Sequence, residues 1–189
     1  MNLARGFANL LVVWRALPSP SSRAIMREAW RIERALPQWF ASQPLPDLMR
    51  RLDDEANAQH INVDAATITR LVDAAVMLDH LSPLGICLRR SLVRYVMLRR
   101  ANVPVSVRFG AKQNTTNGQH KIAGHAWLTL DGQPYAEKPE DYHDFAPIYT
   151  YPENPKFRVS VPNPNLELPT PSIDSPRALG GGGRTASNL

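Results

Sequence analysis

The sequence predicts an α+β fold, with helices first and a small antiparallel sheet packed on them. Three observations predict it. Apolar residues recur at near-helical spacing through the first hundred positions. From Val103 the pattern changes to β-branched alternation. Asp131-Gly132 then stands between two apolar stretches as a hairpin turn. Hydrophobic residues make up 43% of the chain and charged residues 21%, which excludes a fibrous or wholly disordered protein.

The elements follow in order. Leu10, Leu11, Trp14 and Leu17, then Ile25, Trp30 and Ile32, mark two helices broken at Pro18-Ser19-Pro20. Ser21 or Ser22 is the expected N-cap of the second. Pro37, Pro44 and Pro46 interrupt the chain and predict an irregular connection. Ile68, Leu71, Val72, Ala75, Val76 and Leu78 predict a helix from about Asp64 to His80. Cys87, Leu88, Ser91, Leu92, Tyr95, Val96 and Leu98 predict the next, which closes on Arg99-Arg100, where cations suit the helix dipole. Val103–Gly110 and Gly124–Leu130 read as strands, and Gln133–Glu137 as the strand returning from the Asp131-Gly132 turn. From Pro152 the chain is rich in proline and ends in a glycine run, a low-complexity composition read as largely disordered. The expected organisation is therefore a helical segment over 1–60, a core over 61–151 and a tail over 152–189.

Charge, cysteine count and hydropathy narrow the function classes. The net charge of +5 comes from 22 basic and 17 acidic residues. Much of the excess lies in Arg89, Arg90, Arg94, Arg99, Arg100, Arg108 and Lys112, a basic stretch read chiefly as a solvated helix face. No helix-turn-helix, zinc-finger or RNP signature accompanies it, so nucleic acid is not an expected partner. One cysteine excludes an intrachain disulfide framework. His120 and His125 have poor spacing for a metal site. No stretch has the roughly 18 apolar residues of a membrane span, and Arg15-Ala16-Leu17-Pro18 is a poor signal-peptide cleavage site. The protein is expected in the cytoplasm.

The chemistry concentrates on three residues. Cys87 falls in the first turn of a predicted helix, where the dipole stabilises a thiolate, and Arg89 and Arg90 add positive potential. His125 stands on a downstream strand. The hairpin arithmetic sets residue 125 across from about 137 to 140. Glu137 is therefore the nearest acid, Glu140 and Asp141 are alternatives, and Asp131 sits at the turn and too far away. A helix-borne cysteine, a strand-borne histidine and an acid on the neighbouring strand make the arrangement of papain-like and transglutaminase-like enzymes. There the nucleophile needs a base and the base an orienting acceptor. The plain alternatives are a core cysteine, a core histidine beside Trp127 and a solvated acidic loop.

The stretches Cys87-Leu88-Arg89-Arg90-Ser91-Leu92, Leu98-Arg99-Arg100-Ala101-Asn102-Val103-Pro104 and Gly124-His125-Ala126-Trp127 with the following Asp131-Gly132 carry a resemblance. Over about Asp64 to Glu137 the chain resembles the lasso peptide biosynthesis B2 proteins, transglutaminase-like cysteine proteases that remove the leader from a precursor peptide. Asn102 stands where that family has glycine, and Glu137 where it often has aspartate. The resemblance implies a catalytic core in which Cys87 is the nucleophile, His125 the general base and Glu137 the third member, with no cofactor for the peptidase step. It implies a leader-bearing precursor as substrate, and a small leader-recognition protein and an ATP-dependent macrolactam cyclase as partners in antibiotic biosynthesis. The alternative function is a non-catalytic transglutaminase-like module that binds a peptide or a partner enzyme.

Overall fold

The computed structural model of the protein describes residues 19–79, 81–116 and 119–153. The expected helix around Leu10–Leu17 and the tail beyond Glu153 lie outside the described residues.

Helix α1 runs Pro20–Ser42. Its N-cap is Ser19, two or three residues before the predicted cap, and the Ser19 hydroxyl accepts from the Ser22 amide at 3.3 Å. Pro20 explains the difference, because proline suits the first helical position and carries no amide to satisfy. Pro37 does not break the helix as the sequence reading expected. It removes one backbone bond, but Ile25, Ala29, Ile32, Leu36 and Trp39 keep one face buried on both sides of it. Helix α2, Leu45–Asn57, occupies the stretch expected to be irregular. Pro44 and Pro46 begin it, and Leu48, Met49, Leu52 and Ala56 anchor it. Helix α3 runs Ala65–Leu78, with the Asp64 carboxylate accepting from the Thr67 amide at 2.8 Å. Helix α4 runs Ile86–Arg100. It ends through Asn102 at φ 61°, with the Val103 amide donating to the Leu98 carbonyl at 3.0 Å, so the asparagine is the left-handed stop of the helix.

The sheet is antiparallel, with β1 Val105–Thr116, β2 Gln119–Leu130, β3 Gln133–Tyr135 and β4 Ala146–Tyr151 in the order β3-β2-β1-β4. Asp131 and Gly132, at φ 51° and 78°, form the two-residue turn between β2 and β3. A short helix α5, Pro139–Tyr142, precedes β4. The architecture is the predicted α+β one. Val105, Val107 and Phe109 of β1 and Ala126 and Leu128 of β2 share a core with Leu92, Val93, Val96 and Leu98 of α4. Helices α1 and α2, within the helical segment 1–60, contribute Ile32, Leu36, Leu48 and Leu52 to the same core. No helix among the described residues is long and apolar enough to cross a membrane.

The basic stretch is not a solvated face. Arg89, Arg94 and Arg100 are buried and ion-paired, to Glu33, to Asp73 and Glu137, and to Glu28 and Glu55. Burying a charge is tolerated only with such partners. The partner acids lie far away in the chain, on α1, α2, α3 and the segment after β3.

Candidate active site

Cys87 lies half-buried in the first turn of α4. Gly85 is the N-cap and no side chain caps this helix end. The amides of residues 86–88 therefore have no intrahelical acceptor, while that of Arg89 already donates to the Gly85 carbonyl at 3.2 Å. Such open amides can receive an oxyanion.

The backbone beside His125 is tied to the helix that carries Cys87 by the way β3 stops, while among the described residues no hydrogen bond joins the His125 ring to Cys87. Leu128 pairs with Tyr135, so the register would set Ala126 against Glu137 and His125 against Lys138. The strand ends at Tyr135 instead, and Ala136, at φ 53°, turns the chain away. The Ala126 carbonyl then has no strand partner on that side and accepts from the Ser91 hydroxyl at 2.8 Å. Cys87 is one helical turn before Ser91, on the same face of α4. One buried hydrogen bond thus ties the turn after the cysteine to the residue after the histidine.

The imidazole is positioned by aromatic packing. Ala126 and Leu128 face the core, so His125 and Trp127 project from the other sheet face. The His125 ring stacks on Trp127, with centroids 5.8 Å apart, and packs against Phe145 at 5.1 Å. Trp127 in turn stacks on Tyr142. Nε2 of His125 is buried without a hydrogen-bond partner. Burial holds the imidazole below its ordinary pKa; the positive charges of Arg90 and Lys112 add to this and Asp141 opposes it. That shift favours the unprotonated ring, the form a general base needs.

Gly110 sits directly across from His125 on β1. A Cβ there would come within 2.8 Å of the Trp127 ring and 3.0 Å of Phe145 Cβ. Gly110→Ala is expected to destabilise the protein by about 1–3 kcal/mol through overpacking and to shift the indole on which His125 rests. Thermal unfolding combined with tryptophan fluorescence checks this, and unchanged values for both would show that the ring gives way without cost.

The side chain of Glu137 is almost fully buried, and its carboxylate is held by two arginines of α4. Arg90 Nη2 donates to Oε2 at 2.6 Å and Arg94 Nη1 to Oε1 at 3.3 Å. Burial pushes the Glu137 carboxyl up, while the charges of Arg90 and Arg94 pull it down. Among the described residues no carboxylate is hydrogen-bonded to the His125 ring. Glu137 connects to the histidine's surroundings through Arg90, whose charge reaches the imidazole. Of the alternatives, Asp131 belongs to the exposed turn and Glu140 is exposed on α5. Asp141 is the one whose charge reaches the ring.

A helix that presents a cysteine beside a histidine-bearing antiparallel sheet defines a class of scaffold. A family model of the transglutaminase-like superfamily matches residues 33–150, from within α1 to the last strand, and the chain belongs to that superfamily. No curated protein and no solved structure matches the chain. The superfamily commonly carries cysteine-protease-type chemistry.

Proposed function

We propose that the protein is a cysteine peptidase that removes the leader from a ribosomally made precursor peptide, as in lasso-peptide maturation. The observation that carries the reading is the position of the chain's single cysteine. It occupies the uncapped first turn of a helix whose next turn is bonded to the backbone beside His125.

The steps follow from the groups present. His125 accepts the Cys87 thiol proton, and the sulfur attacks the scissile carbonyl. The open amides at the start of α4 receive the oxyanion. Collapse forms a thioester and expels the following peptide's amine, which takes the proton from His125. Water, deprotonated by the same ring, hydrolyses the thioester and restores the thiol. In this reading Glu137 is the acid of the motif and acts on the histidine through Arg90. A leader-recognition protein and an ATP-dependent cyclase are the partners this reading implies, and the cytoplasm is where they would meet.

The test is the pH dependence of iodoacetamide alkylation at Cys87, in the wild type and in His125→Ala. The expected result is alkylation that is faster in the wild type than in His125→Ala, because the imidazole accepts the thiol proton. An ordinary profile, unchanged by the substitution, would overturn the peptidase reading in favour of a non-catalytic peptide-binding module.

A further inference from the structure

Arg89 is two residues past Cys87, yet its side chain turns back beneath the loop that leads into α4. Its Nε donates to the Leu84 carbonyl at 3.1 Å. Its Nη1 donates to the Asp79 carbonyl at 3.0 Å, to the Val76 carbonyl at 3.5 Å and to the Glu33 carboxylate. Val76 is in the last turn of α3, so the guanidinium also satisfies carbonyls at that helix's C-terminus, where a cation is favoured. The bonded carbonyls bracket the segment between α3 and α4. Leu81, between them, is 95% exposed, so this part of the connection takes little anchorage from the core. Glu33 is 1% exposed and comes from α1, outside the stretch that carries the nucleophile motifs.

We propose that Arg89 is a positioning residue for Cys87: held by Glu33, its buried guanidinium pins both ends of the connection between α3 and α4 and so fixes where the cysteine's helix begins. This rests on the reading of Cys87 as the nucleophile. The fork geometry matters, because a lysine has no second nitrogen with which to reach the Leu84 and Asp79 carbonyls together. The carboxylate matters because the guanidinium would otherwise be buried without its countercharge.

Two readouts test the proposal: amide hydrogen exchange over residues 81–88, and the pH profile of Cys87 alkylation. Removing Arg89 alone would leave Glu33 buried and unpaired. The principal variant is therefore Glu33→Leu with Arg89→Met, which replaces the pair by apolar side chains of similar volume. It is expected to fold with a melting temperature near that of the wild type. Protection over 81–88 should nevertheless fall at least tenfold, and the alkylation profile should move to that of an ordinary thiol. Arg89→Lys, which keeps a cation opposite Glu33, is expected to show both losses even if the double variant does not fold. Glu33→Gln, which still offers Arg89 an acceptor but removes its countercharge, should lower protection by less than Arg89→Lys does. Unchanged protection and profile in a folded double variant or in Arg89→Lys would overturn the clamp. An ordinary profile in the wild type itself would instead remove the nucleophile, and the exchange data would tell the two failures apart.

Discussion

Arg94→Met is expected to destabilise the protein by about 3–5 kcal/mol, the usual cost of breaking a buried ion pair from one side. For a chain of this size that corresponds to a fall in melting temperature of roughly 6–20 °C. The side chain of Arg94 is 3% exposed. Its Nε donates to Asp73 Oδ1 at 2.6 Å, its Nη2 bonds the other Asp73 oxygen, and its Nη1 reaches Glu137 and, at 3.4 Å, the Ala136 carbonyl. One guanidinium thus joins α3, α4 and the chain after β3. Methionine fills the space but leaves the Glu137 side chain, 1% exposed, with Arg90 alone. Glu137→Gln is expected to cost less, about 1–3 kcal/mol, because the amide still offers an oxygen to the arginines. Circular dichroism melts of the two variants check the order. A loss under about 1 kcal/mol for Arg94→Met would show that the network contributes no net stability.

That network also marks the limit of what the sequence could convey. The Asp131-Gly132 pair is legible as a turn from local chemistry, and the helix start near Asp64 from the apolar period that follows it. Pro44 and Pro46 were read as breakers, although proline is equally a helix-start residue. Only the buried stripe of Leu48, Leu52 and Ala56 decides between the two meanings. Pro37 is the same lesson inside a helix, since tertiary burial outweighed the lost backbone bond. The arginines of α4 read as a solvated face because their partners lie up to 72 positions away in the chain. Nothing in a local window announces that Glu33, Asp73 or Glu28 will meet them. The hairpin register was legible, and the length of β3 was not. Ala136 gives no sequence signal for the left-handed backbone that turns Glu137 away from the strand ladder and toward Arg90 and Arg94. Cys87 and His125 could be singled out because helix starts and strands leave local patterns. What surrounds them, Gly110, Phe145 and Tyr142 on one side and Ser91 on the other, became visible only in three dimensions.

His125→Ala is expected to lower kcat/KM for cleavage of a leader-bearing precursor by about 10²- to 10⁴-fold, the contribution typical of a positioned general base. Cys87→Ala is expected to abolish the thioester intermediate and with it the enzymatic reaction. The pH profile carries the sharper information. A general base works only when unprotonated, so activity is lost as the pH falls through its pKa. Burial, with Arg90 and Lys112 adding positive charge, sets the His125 pKa below the ordinary imidazole value of 6.5. The acidic limb of the wild-type profile should therefore lie below pH 6.5. Arg90→Gln removes one of those positive charges, so the imidazole holds its proton to higher pH and the limb should move up. The variant should then lose proportionally more activity at pH 6 than at pH 8. Measuring kcat/KM from pH 5 to 9 on a synthetic precursor peptide decides it. A limb that stays in place in Arg90→Gln would mean that Arg90 does not reach the base electrostatically during turnover. Glu137, which meets the histidine's surroundings through that arginine, would then have no route to it.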